Sequence, residues 1–232
     1  MSVLTLVRHG QASYMAEDYD RLSALGEEQA RKLGEFWVRH GIHFDLCYHG
    51  PAKRHRKTAE IALPAGTEMR VVAEIDEFDA FRVMQLMVPR LVESDPAIRA
   101  MHDDFRANQQ SPEGGRKLQK LFEAVSRCWC SGEYDMPEVE SWTQFKARVR
   151  AGVEQIRLEA GSGKNVVAIT SGGPISATVA DVMNLPPLVA IELLWLSRNC
   201  SFSEFLFSGD RYSMHSFNSI PHLDDRRLVT YR

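Results

Sequence analysis

At 232 residues, 44% hydrophobic and 25% charged, the chain is sized for one large domain, or one domain with an inserted cap, and can bury a sizeable core. Its net charge of -3 argues against bulk nucleic-acid binding, which wants a basic surface. No apolar stretch approaches the length that spans a bilayer, and the first residues do not read as a signal peptide: the apolar run is short, lacks a basic flank and meets Arg8 at once. Cys47, Cys128, Cys130 and Cys200 are read as reduced thiols of a cytoplasmic protein. Cys128-Trp129-Cys130 has one intervening residue, not the two of a zinc knuckle or redox pair.

Strand and helix patterns alternate along the chain. Val3–Val7 is a continuous apolar run and reads as a buried strand. Ser23 is a candidate N-cap for a helix whose apolar face is Leu25, Ala30, Leu33, Phe36 and Trp37 and which ends at Gly41. Phe44–Tyr48 reads as a second strand, followed by a basic loop through Lys53-Arg54 and a helix from about His55 to Leu63. Met69–Ala73 looks like a third strand and Val166–Thr170 a fourth, with Pro174 in the first turn of a helix over Pro174–Asn184. Ser201–Phe207 and Arg211–Phe217 flank Ser208-Gly209-Asp210, a hairpin signal.

The middle differs. From about Phe81 to Asp135 no strand pattern occurs. Asp95-Pro96 opens a helix by capping, and Leu118, Leu121, Phe122, Val125 and Trp129 share one helical stripe. Ser141-Trp-Thr-Gln144 is a capping box for a long helix to about Ala160. The expectation is a three-layer α/β/α sandwich on a mostly parallel sheet, a single domain over 1–232 with a helical cap inserted at about 81–136.

In open α/β sheets, ligands bind beyond the carboxyl ends of the strands. Arg8 and His9 follow the first strand, Arg54 the second, Glu77 the third, and Ser171-Gly172-Gly173 the fourth. Two guanidiniums, an imidazole, a carboxylate and a glycine-rich turn are thereby expected on one rim. Arginine offers a planar fork matched to phosphate oxygens, and backbone N–H groups at Gly172 would face an anion at a helix N-terminus. Lys53, Arg56 and Lys57 are better read as the solvated start of a helix. Gly161-Ser162-Gly163-Lys164 lacks the earlier Gly and following Ser/Thr of a P-loop and reads as a turn. Ser171 is not a nucleophile-elbow serine, because Ile169 stands where Gly is required. His215 and His222 lack metal-ligand company and read as structural.

Leu6-Val7-Arg8-His9-Gly10 resembles the signature of the histidine phosphatase superfamily, which includes the cofactor-dependent phosphoglycerate mutases. The resemblance continues through Leu22-Ser23, Gly26 and Gln29-Ala30; through Gly50-Pro51, Arg54 and Thr58-Ala59, with Gly50 where Ser is usual; and through Glu140-Ser141, Arg148, Asn199, Asn218 and His222-Leu223. It implies a phosphoryl hydrolase acting on a small phosphomonoester. His9 would attack phosphorus to form a phosphohistidine that water then hydrolyses. Arg8 and Arg54 would hold the phosphoryl oxygens, with Gln11, Ser171 and Gly172 adding phosphate contacts. Glu77 would protonate the leaving alcohol and later activate water, with Asp76 and Asp79 as rivals in sequence. The resemblance implies no metal and no organic cofactor; the expected partner is phosphate or a small phosphorylated metabolite, with no nucleic acid and no membrane.

One departure stands out. The fourth-strand loop of the family normally reads His-Gly, and here it reads Ser171-Gly172. A serine hydroxyl supplies a hydrogen bond but no imidazolium charge, and losing a charged donor costs on the order of 10²–10³ in rate. The resemblance thus implies a subgroup with weakened turnover, or else a non-catalytic phospho-ligand or protein-binding pseudophosphatase on the same fold. His222, His49 and His55 are the sequence's candidates to replace the missing ring.

Overall fold

The computed structural model describes residues 1–13, 20–134 and 136–231; Asp135, at the end of the strand-free stretch, lies outside them. The chain divides into two compact units, one formed by 1–77 with 146–232 and one by 78–145.

The first unit carries a six-stranded sheet built from β1 (Ser2–Arg8), β2 (Leu46–His49), β3 (Arg70–Val71), β4 (Asn165–Thr170), β5 (Phe202–Ser208) and β6 (Arg211–Ser219). Their order is β3-β2-β4-β1-β5-β6. The four strands from β3 to β1 run parallel, and β5 and β6 add an antiparallel hairpin. The mostly parallel α/β sheet expected from the sequence is therefore present. Central strands read as unbroken apolar runs because both faces are covered: Val166 to Ile169 are wholly buried. On one face Val7, Cys47, Val167, Ile169 and Phe202 pack with Leu33 and Trp37 of α1 (Ala24–Arg39) and with Ala59 and Ala62 of α2 (Lys53–Ala62).

Two local predictions are corrected. The third strand spans only Arg70–Val71, both exposed, and gives way to a 3₁₀ turn at Ala73–Ile75, so Met69–Ala73 overstates it. Lys53 and Arg54, placed by sequence in a loop, stand in the first turn of α2.

The second unit contains α3 (Ala80–Ser94), α4 (Pro96–Asn108) and α5 (Gly114–Ser131). Asp95 caps α4 by accepting from the N–H groups of Ala97 and Ile98. Its core is aromatic: Phe78 stacks on Trp129 at 4.5 Å, and Trp142 meets Trp129 edge-on at 5.6 Å. The capping box forms as expected at the start of α6 (Trp142–Ala160): Ser141 N–H donates to Gln144 Oε1 at 2.8 Å, and Gln144 N–H to Ser141 Oγ at 3.2 Å. The chain then continues through β4 into α7 (Gly172–Val182) and α8 (Pro187–Leu196). No helix of the described residues is long and apolar enough to cross a membrane.

The loop after β1 is pressed onto the start of α1. Ser23 caps that helix by accepting from Gly26 N–H, and a Cβ at Gly26 would stand 2.1 Å from the Gln11 carbonyl oxygen. A Cβ at Gly10 would stand 2.4 Å from the Gly26 carbonyl oxygen. Both obstacles are backbone, so neither gives way cheaply. Gly26→Ala is expected to destabilise the fold by about 1–3 kcal/mol through forced backbone shifts. A urea melt reads the change, and an unmoved midpoint would show that the two segments separate freely.

Candidate active site

The four parallel strands end side by side, and each delivers one part of the site. The ladder of β1 runs one residue past the strand, since His9 N–H donates to the Thr170 carbonyl of β4 at 2.9 Å. The His9 carbonyl is held from the other side by Asn199 Nδ2 at 3.2 Å and Cys200 N–H at 3.3 Å. Its position is thus fixed by backbone before its side chain is considered.

His9 is 7% exposed, and the two partners of its ring settle its tautomer. Nδ1 lies 2.7 Å from the Gly10 carbonyl oxygen, which can only accept. Nε2 lies 3.2 Å from Arg54 Nε, which can only donate. Nδ1 therefore carries the proton, and Nε2 presents a lone pair toward the guanidinium. Burial first, then Arg54, the His55 ring and Arg8, holds the His9 pKa well below the ordinary imidazole value. A neutral ring with its lone pair on Nε2 is the form of histidine that attacks an electrophile.

Arg54 is pinned by Asp20, whose carboxylate takes Arg54 Nη1 at 2.7 Å and the N–H groups of Lys53 at 2.8 Å and Arg54 at 3.4 Å. Asp20 thereby caps α2, whose N-cap residue Ala52 has no side-chain acceptor, while aiming the fork at His9. Nothing in the sequence marks Asp20, because its partner lies 34 residues away. Thr58 Oγ1 donates to the Arg54 carbonyl at 2.7 Å and accepts from Gly10 N–H at 3.1 Å, tying α2 to the nucleophile loop.

Arg8 donates through Nη1 to the Ser197 carbonyl. Its Nε lies 3.6 Å from where a Cβ at Gly172 would stand, which puts the start of α7 beside it. Ser171 is the N-cap residue of α7 and is fully buried; its Oγ lies 3.4 Å from Arg54 Nη2 and 2.7 Å from His55 Nε2. Glu77 reaches the same helix N-terminus, where its Oε2 accepts from Gly173 N–H at 3.0 Å. The segment before it is clamped by Arg148 Nη1, which donates to the Glu74 carbonyl at 2.8 Å and the Asp76 carbonyl at 3.1 Å. Rival Asp76 spends its Oδ1 on Glu77 N–H at 2.9 Å, and Asp79 caps α3.

Arg8, His9, Arg54, Glu77, Ser171 and Gly172 are thus gathered by short contacts around two helix N-termini. Gln11 is differently occupied: its N–H donates to Gln29 Oε1 at 2.8 Å, and its Oε1 accepts from Ser23 at 2.9 Å. His222 is buried between the rings of Phe36 and Phe202, each at 6.2 Å.

The sequence model of the Histidine phosphatase superfamily (branch 1) matches residues 4–131 and 116–220. The chain belongs to the histidine phosphatase superfamily. Among curated superfamily relatives, "Probable 2-carboxy-D-arabinitol-1-phosphatase" of Arabidopsis thaliana is 27% identical over 139 residues, 54% of this chain and 27% of that protein. The 2,3-bisphosphoglycerate-dependent phosphoglycerate mutase of Thermobifida fusca (strain YX) is 41% identical over 70 residues, 27% of this chain and 28% of that protein. The matches thus span little more than a quarter of each relative's length. The crystal structure of phosphoserine phosphatase from Entamoeba histolytica, in complex with 3-phosphoglyceric acid, superposes with a TM-score of 0.64 at 17% identity, covering 96% of this chain and 100% of that one. At that identity the likeness shows the histidine phosphatase fold, and the chemistry of this chain rests on its own site.

Proposed function

We propose that this histidine phosphatase superfamily member is a phosphomonoester hydrolase working through a phosphohistidine at His9. The observation that carries the reading is the place of buried His9, whose Nε2 lies 3.2 Å from Arg54 Nε. In the first step Nε2 forms a bond to phosphorus while the phosphorus–alkoxide bond breaks. The departing oxygen takes a proton from the Glu77 carboxyl. In the second step Glu77, now a carboxylate, takes a proton from water as the water oxygen bonds to phosphorus; the electron pair of the nitrogen–phosphorus bond returns to Nε2. Arg54 turns its N–H groups from His9 onto the phosphoryl oxygens, and Arg8 and Gly172 offset charge on the far side. None of these steps calls on a metal or an organic cofactor.

The substrate class is a small phosphorylated metabolite, and the helical insertion at about 81–136 is assigned the role of a cap. A cytoplasmic location belongs to the same reading. Phosphate release from p-nitrophenyl phosphate tests the activity, and silence across a broad ester panel would count against it. Glu77→Gln keeps the side chain's shape and removes its proton chemistry. It is expected to lower kcat by about 10²–10⁴ with a generic ester, and least with a leaving group as acidic as p-nitrophenol. An unchanged kcat with a poor leaving group would remove Glu77 from the mechanism.

A second reading rests on the hydroxyl at Ser171, where the superfamily pattern has an imidazole. It makes the chain a pseudophosphatase that binds phospho-ligands without turning them over. Vanadate binding with no phosphate release, and no phosphoryl label on His9, would favour it. The primary reading with slow turnover predicts that label.

A further inference from the structure

Among the buried imidazoles that the mechanism above leaves unused is that of His55. His55 stands in the first turn of α2, wholly buried, with Nε2 2.7 Å from Ser171 Oγ. The Ser171 hydroxyl makes no capping bond to α7, although it occupies the cap position. It is held instead by His55 and, at 3.4 Å, by Arg54 Nη2. The His55 and His9 rings lie 5.6 Å apart, centroid to centroid. A buried polar ring costs free energy unless its atoms are matched, so an imidazole committed to one serine hydroxyl calls for a reason.

Gly50 shows how the ring gets there. A Cβ at that position would stand 2.5 Å from His55 Nδ1 and 3.1 Å from the Ile75 carbonyl oxygen. Any side chain at residue 50 therefore displaces the ring from its present place against Ser171. Gly50, His55 and Ser171 sit on separate segments and are mutually dependent in space.

We propose that His55 is a positioning residue for phosphoryl binding: it holds the Ser171 hydroxyl in the anion cradle beside Arg54, and the bare backbone of Gly50 admits its ring. The proposal rests on the hydrolase reading. A serine hydroxyl on its own rotates among several directions. One ring partner at 2.7 Å removes that freedom: with the proton on Nε2, His55 donates to Oγ, which keeps a lone pair for Arg54 and its own proton for a phosphoryl oxygen. The imidazole absent from the end of β4 is thereby replaced from α2, acting through the hydroxyl.

The test is steady-state hydrolysis of p-nitrophenyl phosphate by the full chain and its variants. Glutamine carries a polar atom about as far out as Nε2, whereas asparagine stops near Nδ1. His55→Asn is expected to lower kcat about 10- to 100-fold, less than the loss of a donor that touches the phosphoryl group itself. His55→Gln is expected to keep most of the activity. Ser171→Ala combined with His55→Asn is expected to be no slower than Ser171→Ala alone, because the two act in series. A kcat for His55→Asn within about twofold of wild type, or costs that multiply in the double variant, would overturn the proposal. If substitution at 55 unfolds the chain, Gly50→Ala decides: a folded Gly50→Ala with wild-type kcat also overturns it. Wild-type protein that releases no phosphate sinks the hydrolase reading and this proposal together. Release that requires His9 and ignores His55 sinks this proposal alone.

Discussion

His9→Asn is expected to abolish phosphate release, lowering kcat by on the order of 10⁴ or more, about 5 kcal/mol of transition-state stabilisation. The size follows from the role. The ring supplies the bond that splits one displacement into two, and water in its place lacks both the lone pair and the placement. The same substitution is expected to spare the fold. His9 is held chiefly through its backbone, by Thr170, Asn199 and Cys200, and those bonds survive a change of side chain. Two measurements read the result together: phosphate release, and acid-labile phosphoryl label on the protein after a quench. Wild-type protein should carry the label at residue 9, and the variant none. A variant that kept a tenth of wild-type turnover, with a normal melt, would remove His9 from the covalent step.

Acidification is expected to destabilise this protein well before its carboxylates titrate. Burial pushes the His222 pKa down to about 4. His9 and His55 are lowered in the same direction, by burial first and then by Arg54. In the unfolded chain all three titrate near about 6.5. Below that value the unfolded state binds protons that the folded state refuses, so stability rises with pH across the window. The contribution is therefore complete above about pH 7 and is lost as pH falls through 6.5 toward the folded values. For His222 alone the loss reaches about 3 kcal/mol near pH 4, at about 1.4 kcal/mol per pH unit. Urea midpoints at pH 8, 6 and 5 check the trend. His222→Phe, which suits a site between Phe36 and Phe202, should flatten part of it. A midpoint independent of pH over that range would mean that these rings accept protons without unfolding.

The opening motif was legible because two physical rules meet there. An apolar run reads as a buried strand, and a charged residue with a glycine at its end reads as the strand's mouth. Ser23 and the Ser141–Gln144 pair were legible because capping is chemistry between near neighbours in sequence. The helix at Pro187–Leu196 carries no such sign: nearly every residue is apolar, so no period separates a buried face from an exposed one. The third strand was overstated because an apolar run does not reveal how much of it finds a partner. Asp20 was invisible for a different reason. A carboxylate that caps another helix and pins a distant arginine leaves no pattern at its own position.

What the sequence by itself determined is the α/β pattern and the residue types that gather at the strand ends, since burial period, caps and turn residues are local properties. The tertiary structure decided the protonation state of His9, the use of Asp20 and the contact between His55 and Ser171. Those depend on atoms brought within about 3 Å from segments far apart in the chain, 116 residues in the last case, and electrostatics and hydrogen bonding act through that distance alone.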